Sequence, residues 1–243
     1  MTSPRPRRVL SHLACCLAVF AVFAAGCSDS KSTKVVVPAD GLPAGTPLND
    51  TDAHLMARFE ATFDAQSDGE YAKLLTDDFR FHFSVASDPE LVNFYGDSWG
   101  RADETTTVTH LFDGFTDPTN GAIPGASTVA MAWANTQIGA DPDHPDSVDY
   151  YKKVVVPAMT LVIEVPGTPE PTTYNVSSWQ EFYIVRGDAA VLASGQAAQA
   201  DRWYLRRWDD LAVSGTVLRK GPVVNPSNTI SVGRIKGLYH SSI

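Results

Sequence analysis

The N-terminus carries the feature that most restricts the fold, a short apolar segment behind a cluster of positive charges. Arg5, Arg7 and Arg8 precede the stretch from Leu13 to Ala25, which is almost wholly apolar. A helix that spans a bilayer needs about 20 apolar residues, so this segment is too short. It has the length of the apolar region of an export signal, about 7–15 residues. We therefore expect residues 1–26 to be a signal peptide and the fold to begin after them.

The signal ends in Ala24-Ala25-Gly26-Cys27, which resembles the lipobox of bacterial lipoproteins, with Ala24 where Leu is usual. The resemblance implies that Cys27 carries a diacylglycerol, that the signal is cut before it, and that the new amine receives an acyl chain such as palmitate. Two acyl chains anchor a protein stably in a membrane. Ser28, rather than the Asp that retains lipoproteins in the inner membrane, favours the outer membrane of the cell envelope. An uncleaved anchor helix or an ordinary secretory signal is the alternative, and Arg7-Arg8 leave general or twin-arginine export open.

Cysteine usage and charge exclude several classes of function. Cys15 and Cys16 leave with the signal and the Cys27 sulfur would carry lipid, so the folded part should contain no disulfide, thiolate metal site or thiol nucleophile. The formal net charge is −9 at pH 7, and loss of the signal arginines makes it more negative. That acidity argues against nucleic acid as a partner, because such binding needs a basic surface.

The rest of the chain is predicted to be one domain on a tether. Residues 27–50 are rich in Ser, Pro and Gly, as is typical of a flexible linker, and the domain itself is assigned to residues 51–211. Within it, apolar residues at helical spacing predict three helices, near residues 52–66, 68–76 and 103–114.

The other pattern is that of strands. Strict alternation predicts a strand from Phe79 to Phe83 with one buried face. Further strands are predicted near residues 129–134, 153–165, 174–186 and 202–208, and Pro157 indicates a bulge or an edge position. On the last strand, alternation places Leu205 and Trp208 on opposite faces. Residues 212–243 form a C-terminal extension that is expected to add one or two strands packed on the domain.

This order of elements resembles the nuclear-transport-factor-two-like superfamily, also called SnoaL-like or the cystatin-like α+β cone. The resemblance covers roughly residues 51–211 and is most evident in FEATFDAQSDGEYAKLLTDDFRFHFS at 59–84 and RWYLRRWDD at 202–210. It implies an α+β fold with three N-terminal helices packed on a curved antiparallel sheet of about five to six strands, which enclose a conical pocket. Members include isomerases, cyclases, dehydratases and proteins that only bind, so the fold does not assign the function.

His82 is the one candidate general base. It lies on the strand face opposite Phe81, and if that face lines the pocket its imidazole could take a proton from a substrate. No acidic partner can be matched to it residue by residue. The alternative is a surface histidine on the outer face of the sheet.

Aromatic side chains are the second group of candidates, because Trp and Tyr combine apolar area with a polar tip that suits a ligand pocket. Their ligand would be small and apolar or aromatic. Filling of the core is the alternative for most of them. The candidates, together with His82, are Trp99, Trp133, Trp179, Tyr183 and Trp208.

Two acidic segments receive a structural interpretation. Asp103 and Glu104 suit the positive end of the third helix and are assigned to that dipole rather than to catalysis. The loop from Asp141 to Asp149 is dense in carboxylates, but two prolines interrupt it and no glycine follows, so a solvated hairpin tip is favoured over a calcium site. No metal site and no cofactor are predicted, and the common nucleotide, zinc-protease and serine-hydrolase motifs are missing from the sequence.

Three functions remain open. The first is a non-catalytic, lipid-anchored domain that binds a small ligand or a protein partner in a conical pocket. The second is an isomerase, dehydratase or cyclase with His82 as general base. The third is a structural accessory domain that forms a homodimer through its sheet.

Overall fold

The computed structural model describes residues 41–193, 195–211 and 228–240. The predicted signal peptide, Cys27 and residues 28–40 of the tether lie outside the described residues, as do residues 212–227 of the extension. Within the described part of the chain, no helix is long and apolar enough to cross a membrane.

The two helices predicted at the start of the domain are confirmed as α1, Asp52–Asp64, and α2, Asp68–Lys73. The Thr51 side chain caps α1 by accepting a hydrogen bond from the backbone N–H of His54 at 3.0 Å. The second helix ends earlier than predicted, because the next strand already begins at Leu75 and pairs there with Leu205.

The next helix of the chain is not indicated by the sequence pattern. Strand β1, Leu75–His82, is followed by helix α3, Pro89–Tyr95, a helix of two turns whose Leu91, Val92 and Tyr95 are only partly buried against the core, too short a pattern to predict a helix. Strand β2, Ser98–Gly100, and helix α4, Arg101–Asp113, come next. The expectation of three N-terminal helices is therefore corrected: two helices precede the first strand, and the described residues contain five helices.

The second half of the domain consists mainly of strands. Beyond α4 these are β3 Gly114–Asp117, β4 Gly121–Pro124, β5 Thr128–Ala134, β6 Gln137–Ala140, β7 Tyr151–Val165, β8 Thr172–Gly187 and β9 Gln199–Leu211. β3 and β4 form a separate hairpin. The bulge predicted at Pro157 is confirmed, since the β7–β8 register shifts between Val156 and Met159.

Within the described residues the main sheet is mixed and has eight strands, so the prediction of about five to six antiparallel strands is corrected in number, and two strand pairs are parallel. Its order is β2-β1-β9-β8-β7-β5, with β6 also on β7 and a short strand β10, Asn228–Thr229, on β8. β1 runs parallel to β9, so that Phe81 lies beside Trp208, and β10 runs parallel to β8. A parallel pair between distant segments leaves no local signal in the sequence.

The C-terminal extension was expected to form one or two strands, but most of its described part is helical. After β10, helix α5 spans Val232–Tyr239 and contacts α3 and α4. The Ser231 side chain caps α5 by accepting from the backbone N–H of Arg234 at 2.9 Å.

The two faces of the sheet differ sharply. The inner face carries Phe81, Phe182 and Trp208, all fully buried, and Phe59 and Phe63 of α1 pack on it. We call the space between this face and the helices the interior. The opposite, outer face carries the residues that alternate with them.

Candidate functional site

The most unusual feature of the interior is a buried carboxylate with three donors. Glu104, on the first turn of α4, is fully buried. It accepts hydrogen bonds from the Tyr71 hydroxyl, from Trp99 Nε1 at 2.9 Å, and from Lys236 Nζ at 2.6 Å. We call these four residues the Glu104 cluster. They come from four separate elements, α2, β2, α4 and α5, so the cluster ties the extension to the rest of the domain.

The ammonium of this cluster lies between aromatic rings. Lys236 Nζ is 3.6 Å from the ring centroid of Phe81 and 3.6 Å from that of Trp208. A cation over an aromatic face is attracted by the ring quadrupole, most strongly where water is excluded. The side chain of Lys236 is 3% exposed, so these rings and Glu104 replace its hydration.

Burial shifts the pKa values of the cluster. Desolvation lowers the pKa of Lys236 to about 8, although Glu104 and Asp210 act in the opposite direction. Burial, with the charge of Glu104 next to it, raises the pKa of the Tyr71 hydroxyl well above its usual value. At neutral pH Lys236 therefore remains an ammonium and Tyr71 a neutral phenol.

A second buried carboxylate, Asp210, lies on the same side of the sheet and contacts α5. It accepts from Gln180 Nε2 at 2.6 Å and from the backbone N–H of Gly233 at 2.8 Å, while Trp208 Nε1 donates to Gln180 Oε1 at 2.5 Å. Desolvation raises the pKa of Asp210 to about 6. A Cβ at Gly233 would lie 3.0 Å from Phe83 Cδ1, so the Phe83 ring would have to shift by a few tenths of an ångström to accommodate it.

Further contacts fix α5 along its length. The Ser231 hydroxyl bonds the Asp88 carboxylate, and Tyr239 Oη donates to the carbonyl of Pro124 at 3.2 Å. Beyond the helix, the ring of His240 stacks on Trp99 with centroids 4.9 Å apart. The extension thus closes the interior on the side of α3 and α4.

A pocket of about 280 Å³ opens between α1 and the sheet edge. Its walls are Ala53, Met56, Ala57, Glu60, Trp133, Thr136 and Ile138. The edge strand breaks at Asn135, a residue with φ of 59°, and β6 resumes opposite the bulge of β7. That break separates Trp133 from Ile138 and lets both face α1.

Trp133 gives this pocket a fixed aromatic wall. Its ring stacks on Phe59 with centroids 5.8 Å apart and an interplanar angle of 22°, and Phe59 in turn packs on Trp208. The acidic residue in the wall of this pocket is Glu60, whose pKa is raised by burial and, to a smaller extent, by the charge of Asp64. The pocket is therefore mainly apolar, with one carboxyl group at its wall.

A second pocket, of about 320 Å³, is polar and lies on another side of the domain. Its walls include Arg58, Glu70, Lys73, Asp77 and Arg101. Arg58 Nη2 and Lys73 Nζ both pair with Glu70, at 2.8 and 2.5 Å. These charges largely neutralise one another.

His82 lies on the outer face, half-buried, and lines neither of these two pockets. It stands in register with Asp209 of β9 and Ser98 of β2, while Phe81 points to the interior. Burial lowers the pKa of His82, and Asp209 partly offsets this. The histidine is therefore separated from the interior by the sheet itself.

The aromatic candidates divide between core, outer face and pocket. Trp99 and Trp208 are 4% and 0% exposed and are surrounded by the chain's own side chains. Tyr183 lies on the outer face beneath Arg207, whose guanidinium is 4.3 Å from its ring. Trp179 is 44% exposed on that face, whereas Trp133 lines the apolar pocket.

The acidic loop between β6 and β7 is not simply solvated. Asp141 is fully buried and accepts hydrogen bonds from Arg206 Nη2 at 3.1 Å and His144 Nδ1 at 3.1 Å. The His144 ring stacks on Tyr151, with centroids 3.8 Å apart. The expectation of a solvated tip is therefore wrong for Asp141, whose charge is taken up by a cation from β9.

Sequence reasoning missed two members of the Glu104 cluster and misplaced a third. Glu104 was assigned to the helix dipole, yet its side chain turns inward. Lys236 and Tyr71 were not candidates at all. The sequence signal for Lys236 is its spacing, because it falls four residues after Val232 and three before Tyr239, on one face of a helix. The extension was expected to form strands, so this spacing was not recognised.

No family model matches the sequence, and no curated protein matches it. Among solved structures, ActVI-ORFA from Streptomyces coelicolor is 12% identical with a TM-score of 0.40, covering 65% of this chain and 90% of that chain. An NTF2-like protein with a cystatin-like fold from Novosphingobium aromaticivorans is 14% identical with a TM-score of 0.37, covering 67% and 80%. A protein of unknown function with a cystatin-like fold from Nostoc punctiforme is 11% identical with a TM-score of 0.37, covering 67% and 89%. Likenesses at this level assign no activity or ligand to this chain.

Proposed function

We propose that this chain is a lipid-anchored, non-catalytic domain of the bacterial cell envelope, with a SnoaL-like fold, that binds a small apolar or aromatic ligand beside Trp133. The observation that carries the proposal is the pocket of about 280 Å³ between α1 and the sheet edge. Met56, Trp133 and Ile138 supply apolar area, and Glu60 and Thr136 supply polar groups at its wall. Ligand pockets commonly combine an apolar lining with a few polar groups.

The rigidity of the aromatic wall favours ligand binding. Trp133 rests on Phe59, which packs on Phe182 and Trp208 of the buried core, so the indole is held before any ligand arrives. A wall that is already ordered loses little conformational entropy on binding. His82 lies on the outer face, so we do not propose it as a general base for this pocket.

The ligand proposal is tested with N-phenyl-1-naphthylamine, a neutral aromatic probe whose fluorescence rises in apolar surroundings. We expect the full-length chain to bind the probe and the Trp133→Ala variant to bind it about tenfold more weakly, which corresponds to about 1.4 kcal/mol for a lost stacking wall. Trp179→Ala is the matched control, because that indole is 44% exposed on the outer face. Equal losses in the two variants, or no binding by the wild-type chain, would contradict the proposal.

Lipid anchoring is tested separately at Cys27. Both other cysteines lie in the predicted signal, so Cys27→Ser should abolish incorporation of radiolabelled palmitate and retention in the membrane fraction. The described fold begins beyond residue 40, and we therefore expect the domain of this variant to fold. Equal label in the variant and the wild type, or a wild-type protein confined to the soluble fraction, would overturn the anchoring proposal.

A homodimer through the outer face is the second candidate, favoured by Trp179, an exposed indole in register with Leu211 on that face. Light scattering on the full-length chain in detergent tests it. A dimer that Trp179→Ala converts to a monomer is the expected result, and a monomer at high concentration would contradict it.

A further inference from the structure

We propose that the interior is a recognition site for a linear primary alkylammonium, which the chain's own Lys236 occupies as an internal ligand. The site differs from the pocket beside Trp133, so the proposal stands or falls independently of the proposed function. Lys236 lies on α5, a short helix of the extension, whereas Glu104, Phe81 and Trp208, which contact its ammonium, belong to the rest of the domain.

The receiving half of the site is built without α5. Glu104 also accepts hydrogen bonds from Tyr71 and Trp99, which come from α2 and β2, so two of its three donors do not belong to α5. Phe81 and Trp208 lie side by side on the paired strands β1 and β9, with ring centroids 5.3 Å apart. The Glu104 carboxylate and the two aromatic faces are thus held by α2, α4 and the strands β1, β2 and β9.

The chemistry of this half selects the ligand. The distance of 2.6 Å from Lys236 Nζ to Glu104 Oε1 requires an N–H donor, which a quaternary ammonium lacks. The aromatic rings attract a positive charge, so a neutral alcohol of the same length should bind more weakly than the ammonium. Glu104 is fully buried, and its uncompensated charge without a cation would be costly. The expected class is therefore a primary amine on a straight alkyl chain.

The extension has features that allow exchange between the internal and an external ligand. Gly233 and Gly237 lower the intrinsic helix propensity of α5, so the helix depends on its tertiary contacts. One of these is the pair of Arg234 and Glu90, at 2.8 Å, in which both side chains are 54% exposed. An external amine must compete with Lys236 at a high effective concentration, as for any tethered ligand.

The first experiment uses Lys236→Ala in the full-length chain. This change removes three methylene groups and the ammonium, which n-propylammonium replaces. At about a hundred times its Kd, propylammonium should raise the melting temperature of the variant by about 5–10 °C. Propanol and tetramethylammonium should have no comparable effect. Lys236→Met is the matched control, because its uncharged chain fills the same space, and it should not respond to propylammonium.

Two outcomes of that experiment overturn the proposal. One is equal stabilisation by propanol and propylammonium, which would indicate filling of an apolar cavity without recognition of the amine. The other is the same response in Lys236→Ala and in the double variant Lys236→Ala/Glu104→Gln, which would exclude the carboxylate as the recognition group. If Lys236→Ala does not fold, the measurement on the wild-type chain decides.

The second experiment asks whether an external amine can replace Lys236 in the wild-type chain. With n-butylammonium present, amide hydrogen exchange in residues 232–239 should become faster while exchange in β1 and β9 stays unchanged. Unchanged protection of α5 at every amine concentration would show that Lys236 is a permanent internal partner, and would overturn the proposal.

Discussion

Separation of the buried ion pair of Lys236 and Glu104 should be far more damaging than separation of an exposed pair. The side chains of Lys236 and Glu104 are 3% and 0% exposed, and the two are 2.6 Å apart. Removal of one partner from a buried pair leaves an uncompensated charge and costs about 3–5 kcal/mol. We therefore expect Lys236→Met, which keeps the side-chain length but not the charge, to lower the free energy of unfolding by about that amount.

A double-mutant cycle isolates the interaction. Glu104→Gln should cost as much as Lys236→Met, but the two together should cost at least about 2 kcal/mol less than the sum, since no charge is then left unpaired. The assay is urea unfolding of the full-length chain at pH 7, followed by tryptophan fluorescence. A domain is typically stable by about 5–15 kcal/mol, so each single loss is measurable.

Lys73→Met is the matched control for this cycle. Lys73 also pairs with a glutamate, Glu70, at 2.5 Å, but its side chain is 71% exposed. Glu70 is buried but keeps its pair with Arg58 at 2.8 Å, so loss of the exposed Lys73 ammonium should cost only about 0–1 kcal/mol. If Lys236→Met costs no more than Lys73→Met, or if the double variant shows strict additivity, the Lys236 ammonium is not buried against Glu104.

Three other predictions follow from single residues. Because burial lowers the pKa of Lys236 to about 8, the unfolded chain holds a proton there that the folded chain has lost between about pH 8 and 10.5. The free energy of unfolding should therefore gain a positive slope in this window, up to about 1.4 kcal/mol per pH unit, that Lys236→Met lacks; identical slopes would contradict the assignment. The deprotonated amine differs from Met at this position because it still donates a hydrogen bond to Glu104, so Glu104 keeps a donor that Lys236→Met removes. Gly114→Ala should cost about 3 kcal/mol or more, since its φ is +79° and a Cβ would lie 2.5 Å from the backbone nitrogen of Gly125. Gly121→Ala, with φ of +82° and open space around it, should cost about 1–2 kcal/mol, and thermal melts of equal midpoint would refute the steric argument. Because the pKa of Glu60 is raised by burial, N-phenyl-1-naphthylamine should bind more tightly as the pH falls through that pKa and the wall loses its charge; Glu60→Gln should remove this dependence in a fluorescence titration.

Local patterns in the sequence predicted local structure well. The spacing of Leu55, Phe59 and Phe63 predicts α1, and these side chains are buried in it. Alternation from Phe79 to Phe83 predicts a strand, and β1 covers most of that stretch. In both cases the spacing of apolar residues within one short segment is enough to predict the helix or strand, because one face of the element packs on the core along its length.

Predictions that depended on distant partners failed for physical reasons. Alternation placed Leu205 and Trp208 on opposite faces, yet both are fully buried. The β8–β9 register shifts by one residue between Tyr183 and Ile184, which brings Trp208 to the inner face. The parallel pairing of β1 with β9 and the helix in the extension likewise depend on contacts that a single segment does not reveal.

The candidate site shows the same division. Trp133 was named for its amphipathic ring and does line the apolar pocket. His82 could not be assigned to a face, because alternation separates the two faces but does not say which one the helices cover. Glu104 and Lys236 are charged residues that ordinarily lie in solvent, and their burial becomes understandable once each is seen as the partner of the other.

The burial of Lys236 against Glu104 is the central claim, and covalent labelling of the amines tests it most directly. Reductive methylation of the folded full-length chain, with the extent at each lysine read by mass spectrometry, compares Lys236 with Lys73 in one sample. Their side chains are 3% and 71% exposed. We predict that Lys73 is dimethylated readily and that Lys236 reacts at least about tenfold more slowly, at the rate at which α5 opens. Equal rates for the two lysines would contradict the account.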